Sequence, residues 1–206
     1  MRLLANITSI LFHPLLMITY GFVLAMAFTY LAIFPFNVKL LLVGMTFFLT
    51  AFVPGGLIML LVKNGAATDL ELSNRRERAV PYLIFVASIM ICGIFLYKMM
   101  MPFWLLAILG GAALALLLAL CINFFWKISA HTIGIGGLLG GIMGIARVHM
   151  VNPYWAFIIV LIIAGAVGTS RIFLKRHTPM QVYAGFSLGF ICTFVVSLLS
   201  YIYLFI

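Results

Sequence analysis

The chain has 206 residues, of which 67% are hydrophobic and only 7% are charged. Soluble domains carry about 25% charged residues, so this composition excludes an ordinary soluble protein and indicates an integral membrane protein. The net charge of +9, from 12 Lys and Arg against 3 Asp and Glu, is too scattered for nucleic-acid binding; it fits contact with a bilayer surface or a phosphorylated lipid.

Seven apolar segments approach the roughly 20 residues that a membrane-spanning helix needs. They cover residues 9–33, 39–62, 81–100, 102–125, 133–149, 153–170 and 180–205. The first two are the least clearly bounded, so the sequence predicts six or seven transmembrane helices. Because backbone polar groups in lipid must pair within helices, the predicted fold class is an all-α, polytopic helical membrane protein. Residues 1–62 form N-terminal membrane helices, and residues 63–206 form a core that carries the polar motifs.

Three polar connections, 63–80, 126–132 and 171–179, are separated from one another by two crossings each, so we expect them on one face of the membrane. The acidic residues Asp69, Glu71 and Glu77 all lie in the first connection, and none lies within a predicted span. This placement argues against a pump that relays protons through intramembrane carboxylates. It also argues against a two-metal site built on carboxylates, so no metal and no cofactor is expected.

The first connection, "LSNRRERAVPY", contains Arg75, Arg76 and Arg78. Arginine binds phosphate through two parallel hydrogen bonds, so these side chains are candidate phosphate ligands. A solvated loop that follows the cytoplasmic bias for Lys and Arg is the alternative.

The second connection, "FFWKISAHTIG", predicts a helix that begins after an N-cap at Ser129, with His131 in its first turn. The span that follows repeats glycine at residues 136, 140 and 144. Small residues at this spacing let two helix backbones approach closely in lipid, so we expect tight helix packing there.

The third connection, "VGTSRIFLKRHTPMQVYAG", places Arg171 and His177 near one end of a span. Lys175 and Arg176 are interpreted as interfacial cations whose charged ends reach the headgroups. The run Thr178-Pro179-Met180-Gln181 matches a capping box, in which Gln181 starts the last helix. Whether Gln181 also contacts His177 stays open from the sequence.

Two histidines, several arginines, a serine and a helix N-terminus on one face favour a phosphoryl-transfer site. The spacing Ser170-Arg171-x5-His177-x3-Gln181 resembles the third signature of the type 2 phosphatidic acid phosphatase (PAP2) superfamily, Ser-Arg-x5-His-x3-Asp. The "ISAH" run at 128–131 resembles its Pro-Ser-Gly-His signature. The Lys-x6-Arg-Pro signature is matched only loosely by "NRRERAVP".

The resemblance, which covers roughly residues 63–190, implies a metal-independent phosphatase of lipid phosphates. His177 would be the nucleophile that forms a phosphohistidine, and His131 would protonate the leaving alcohol. The phosphate ligands would be Arg171, Ser129, the backbone N–H near Ala130, and Arg78 or Arg75. Bacterial relatives imply a multi-pass protein of the bacterial cytoplasmic (inner) membrane.

The chain departs from the family at the residue that orients the nucleophile, because Gln181 stands where the family has Asp. Asp69 or Glu71 is therefore a second candidate for orienting His177. Two other functions remain open: a lipid phosphotransferase, and a catalytically degenerate relative that binds or moves lipid phosphates. The altered residues at 80, 128, 130 and 181 favour the degenerate relative.

Overall fold

The computed structural model describes residues 1–69 and 74–203, and its regular structure there is helical throughout. We number the helices α1 to α8 in chain order. They are Arg2–Leu11 (α1), Pro14–Phe28 (α2), Phe36–Lys63 (α3), Ala79–Lys98 (α4), Phe103–Asn123 (α5), Ala130–His149 (α6), Tyr154–Phe173 (α7) and Pro179–Tyr203 (α8). Short 3-10 helices occupy Tyr30–Ile33 and Arg75–Arg78. The predicted all-α polytopic fold is confirmed.

Six of these helices, α3 to α8, are long and apolar enough to cross a membrane. The first two helices differ from the predicted single span at 9–33: α1 and α2 meet at an angle of 58°. The break falls at His13, whose extended backbone precedes Pro14. A residue before proline is disfavoured in the α conformation, and proline fits the first position of a new helix, so α2 starts afresh there.

Helix α3 remains one long element although its middle is irregular. Residues Phe48–Phe52 form a π-helical turn that ends two residues before Pro54. Proline has no backbone N–H and cannot complete the normal ladder, and a π turn is a common way to accommodate this within a helix. The span predicted at 39–62 therefore lies inside α3.

Helices α6 and α8 form the tightest pair, as the glycine spacing predicts. A Cβ atom on Gly136 or Gly140 would collide with the carbonyl oxygens of Phe186 and Phe190 on α8. The same is true in reverse, because a Cβ on Gly189 would collide with the carbonyl of Ile133 on α6. Glycines on each helix thus face backbone atoms of the other helix, so the two backbones are in direct contact. The start of α6 is therefore held rigidly against the start of α8.

Candidate functional site

The first two polar connections are joined by hydrogen bonds. The Arg75 guanidinium donates to the carbonyl of Phe125 (2.7 Å), and the Asn123 amide donates to the carbonyl of Arg75 (2.6 Å). Arg78, which is only 4% exposed, donates to the carbonyl of Ile128 (2.8 Å). The expected convergence of these connections is therefore present, and two of the predicted phosphate ligands help to hold it.

A cavity of about 420 Å³ lies where the three connections meet, which is a typical size for a small-molecule site. Five predicted site residues line the cavity: Arg78, Ala130, His131, Arg171 and His177. Three further polar lining residues come from the first thirteen residues of the chain: Asn6, Ser9 and His13. Arg176, predicted only as an interfacial cation, also lines this cavity.

His177 is held in one orientation by Gln181. Its Nδ1 lies 3.0 Å from Gln181 Oε1, which also accepts from the backbone N–H of Thr178 at 3.2 Å. A backbone N–H can only donate, so the atom facing it is the amide oxygen. The same oxygen must then accept a proton from His177 Nδ1. This leaves Nε2 as the ring nitrogen with a lone pair.

Gln181 also starts α8, because its own N–H is 3.4 Å from the Thr178 hydroxyl. The two interpretations left open by the sequence are thus compatible, and one side chain serves both. The capping box fixes the amide, and the amide orients the histidine.

Burial lowers the pKa of His177 to about 3, since the side chain is 7% exposed. The hydrogen bond that His177 donates to Gln181 opposes this shift, and the positive charges of Arg78, Lys127 and Arg171 add to it. The imidazole is therefore neutral at physiological pH.

Lys127 contributes to the same cationic cluster. Burial, followed by the charges of Arg78, Arg171 and Arg176, lowers its pKa. Such a concentration of positive charge in a partly buried site favours an anionic ligand.

His131 is anchored by the N-terminal segment of the chain. Its Nε2 lies 3.2 Å from the backbone carbonyl of Ser9, and its ring packs edge-on against His13 at 5.3 Å between centroids. A carbonyl oxygen can only accept, so the Nε2 proton points to Ser9 and Nδ1 is the remaining ring nitrogen.

Arg171 lies in the last turn of α7, which ends at Phe173 and not at residue 170 as predicted. It is only 3% exposed, and its guanidinium donates to the Ser9 hydroxyl at 3.3 Å. Ser9 therefore contacts two of the predicted site residues, His131 through its carbonyl and Arg171 through its hydroxyl.

Four predicted site residues do not line the cavity, and one of them, Gln181, acts on it through its contact with His177. Ser129 is fully buried as the N-cap of α6, with its hydroxyl 3.5 Å from the N–H of Thr132. Arg75 is exposed and bound to Phe125. Asp69 is not among the described residues that line the cavity. Glu71 falls outside the described residues.

The third acidic residue, Glu77, stabilises the first connection. Its carboxylate accepts from the Thr68 N–H (2.7 Å), the Thr68 hydroxyl (2.9 Å) and the Asn74 amide (2.9 Å). The hydrogen bond from the Thr68 backbone is the main cause that lowers the pKa of Glu77.

The sequence interpretation missed Ser9 and His13. The segment 1–62 was expected to add only membrane helices, yet it supplies one side of the cavity. The available signal was "SILFHPLL", where a serine and a histidine lie within an apolar run. Polar residues in such a run are costly unless they face a polar cavity.

No three His, Cys, Asp or Glu side chains in the described part of the chain are grouped so as to hold a metal ion. A comparison with known proteins finds no matching family model, no matching curated protein and no matching solved structure. The geometry of the cavity therefore carries the functional assignment.

Proposed function

We propose that this chain is a membrane-embedded phosphatase that hydrolyses a lipid phosphate monoester or pyrophosphate through a phosphohistidine, as a divergent PAP2 relative in a bacterial cytoplasmic membrane. The single observation behind the proposal is the neutral, oriented His177 in a cavity that also contains Arg78, Arg171 and His131. A nucleophile, a second titratable ring and two guanidinium groups are the parts that such a reaction needs.

The first step is an attack by His177 Nε2 on phosphorus. An N–P bond forms and the P–O bond to the lipid breaks, while the leaving oxygen takes a proton from His131 Nδ1, which receives it from the monoanionic phosphate group as the substrate binds. Water then attacks the phosphohistidine, the N–P bond breaks, and His131 Nδ1 takes a proton from that water. Inorganic phosphate leaves, and His177 regains its Nε2 lone pair.

Arg78 and Arg171 neutralise the phosphate oxygens in the transition state. Both guanidinium groups are almost fully buried, so their charges act in a region of low dielectric where electrostatic stabilisation is strong. Ser9 is a positioning residue, since its two oxygens hold His131 and Arg171 in place.

The second candidate function is to bind or move lipid phosphates without a reaction. The observation that favours it is that the partner of His177 is Gln181, an uncharged amide. Gln181 fixes the tautomer but supplies no negative charge to the imidazolium that develops during attack. In a serine protease, replacing the orienting carboxylate by an amide costs about 10⁴ in rate, partly through the wrong tautomer. Here the tautomer is correct, so we expect a slow enzyme rather than an inactive one.

The test is phosphate release from a panel of lipid phosphates by purified protein in the presence of a chelator. We expect release by the natural protein and none by His177→Ala. Release without the histidine would contradict the proposal. Retained lipid binding with no release by either protein would establish the binder. An alcohol acceptor added to the assay separates hydrolysis from phosphotransfer, because a transferase would form a new phosphate ester.

Two arginines provide a matched pair within the same assay. Arg78 lines the cavity, whereas Arg75 is bound to a loop carbonyl outside it. Removing a group that stabilises charge in the transition state costs about 10²–10³ in kcat. We expect a loss of that order for Arg78→Ala and little loss for Arg75→Ala; equal losses would contradict the role given to Arg78.

A further inference from the structure

A second, apolar cavity adjoins the cationic one. It has a volume of about 80 Å³ and lies among α2, α4, α5, α6 and α8. The two cavities share four lining residues, Pro14, Phe85, Leu116 and Ala130. Since Ala130 also precedes His131, the apolar cavity starts at the phosphate-binding end of α6.

The lining of the apolar cavity extends along most of the length of α6. On α6 its wall runs from Ala130 to Ile145 along one face, through Gly134, Leu138 and Gly141. Fifteen residues of helix rise by about 22 Å, which is most of the ~30 Å hydrocarbon thickness of a bilayer. The cavity therefore runs from the cationic site into the depth of the membrane.

The wall offers almost nothing to a polar ligand. Thr193 carries the only hydroxyl among the described residues that line it. That hydroxyl already donates within the protein, where the carbonyls of Gly137 and Gly189 each lie at 2.9 Å. An apolar cavity of this kind stays dry and takes apolar ligands.

The volume limits the occupant to one chain. A water-sized group needs about 10–15 Å³ by the same measure, so the cavity holds only a short row of such groups. Two hydrocarbon chains side by side would not fit between α5 and α6, where a Cβ on Gly141 would lie 3.3 Å from Ile108.

We propose that this cavity binds the hydrocarbon tail of a single-chain lipid phosphate whose headgroup occupies the adjoining cationic cavity, an inference that rests on the proposed function for its headgroup. The wall that the two cavities share at Pro14, Phe85, Leu116 and Ala130 carries the inference. A cationic end and an apolar end match an amphiphile with one anionic headgroup and one tail. The site thereby selects single-chain over two-chain lipid phosphates.

The tail site is tested with a variant that fills it. Ala112 on α5 lines the apolar cavity and not the cationic one, so Ala112→Phe blocks the tail without touching the headgroup site. Leu118 lies on the same helix but is 40% exposed on the outer surface. Leu118→Phe is therefore the matched control.

Binding is measured with hexadecyl phosphate that carries a photoactivatable diazirine on its chain, and the labelled residues are mapped by mass spectrometry. We expect labelling of the cavity wall on α5 and α6. We expect Ala112→Phe to exclude about two methylene groups of the tail from the cavity. Because each buried methylene contributes to the binding energy, labelling should fall about tenfold in Ala112→Phe and stay unchanged in Leu118→Phe. Labelling confined to lipid-facing residues, or equal labelling of both variants, would overturn the inference.

Phosphate release from butyl phosphate, hexadecyl phosphate and dipalmitoyl phosphatidic acid is measured in parallel. We expect the highest kcat/KM for hexadecyl phosphate, and in Ala112→Phe a loss for this substrate but not for butyl phosphate. Equal losses on the short and long substrates, or a preference for the two-chain lipid, would contradict the tail site. Cavity labelling without any phosphate release would instead contradict the proposed function and leave the tail site standing.

Discussion

His177 and Gln181 are the pair of residues on which the proposed chemistry depends. The amide oxygen of Gln181 fixes the imidazole tautomer through a contact of 3.0 Å. It offers a hydrogen bond where a carboxylate would offer a hydrogen bond and a charge. The pair therefore separates two contributions that an aspartate combines, and substitutions at Gln181 measure each of them.

Replacing Gln181 by Asp supplies the missing charge. We expect Gln181→Asp to raise kcat by at least about tenfold, since the imidazolium formed during attack gains an anionic neighbour. Gln181→Leu, which removes the acceptor, should lower kcat by a similar factor. Initial rates of phosphate release measure both.

Thr178→Ala is the control for the capping box. It removes the hydroxyl that caps α8 at Gln181 N–H but leaves the contact between Gln181 and His177. If Thr178→Ala lost as much activity as Gln181→Leu, the effect of Gln181 on activity would come from starting α8 and not from its hydrogen bond with His177.

The low pKa of His177 gives a prediction about pH. An ordinary histidine, with a pKa of about 6.5, reacts with diethyl pyrocarbonate about 20-fold more slowly at pH 5 than at pH 7, because only the neutral ring reacts. The pKa of His177 is lowered to about 3, so its ring stays neutral throughout this range. We expect equal modification rates at the two pH values, measured by mass spectrometry.

The same measurement on Gln181→Asp provides the contrast. A carboxylate beside Nδ1 favours the charged ring and raises its pKa. The modification rate in this variant should therefore fall as the pH is lowered. An ordinary pH dependence in the natural protein would mean that His177 is neither buried nor surrounded by cations as described.

Residues whose partners are close in sequence were predictable, and residues with distant partners were not. The N-cap at Ser129 and the capping box at Thr178 depend on groups within three positions. The bond from Arg78 to Ile128 spans 50 residues, and the contact from His131 to Ser9 spans 122. The sequence named Arg75 and Arg78 as alternatives, and only the folded chain shows which of them lines the cavity.

At the scale of the helices, α6 and α8 position the two histidines. His131 lies in the first turn of α6, and His177 lies just before α8. The reciprocal glycines bring these two helix starts together. The spacing of residues 136, 140 and 144 predicted close packing, but it could not identify α8 as the partner helix, because the contacts of α8 are distant in sequence.

Adding one methyl group at this contact should destabilise the protein. In Gly140→Ala the new Cβ would collide with the Phe190 carbonyl and the Thr193 hydroxyl. Overpacking of this kind costs about 1–3 kcal/mol, which corresponds to a fall in Tm of about 2–4 °C for each kcal/mol. Thermal unfolding in detergent measures the change.

Gly110→Ala on α5 is the matched control, because nothing lies within 4 Å of its added Cβ. An alanine tolerated in a helix removes freedom from the unfolded chain, so Tm should stay constant or rise slightly. A similar fall in Tm for both variants would show that the α6–α8 contact is not a special constraint.

Across the whole molecule, the alternation of helices from α4 to α8 places the site at one membrane face. The connections after α5 and α7 lie at the site, and those after α4 and α6 lie at the opposite end. Single cysteines in a background without Cys92, Cys121 and Cys192 report this arrangement.

We expect an impermeant thiol reagent, added from one side of sealed vesicles, to label Phe125→Cys and Lys175→Cys together. Met100→Cys and Met150→Cys should be labelled only from the other side. Labelling of Phe125→Cys and Lys175→Cys from opposite sides would contradict the convergence of the connections.

A phosphohistidine route leaves a covalent intermediate on the protein, which can be trapped. Purified protein is mixed with hexadecyl phosphate carrying a radioactive phosphate, quenched in alkali, which preserves an N–P bond, and digested for mass spectrometry. We expect base-stable, acid-labile label on His177 and none in His177→Ala. Phosphate release without such label, or label on another residue, would contradict the phosphohistidine route.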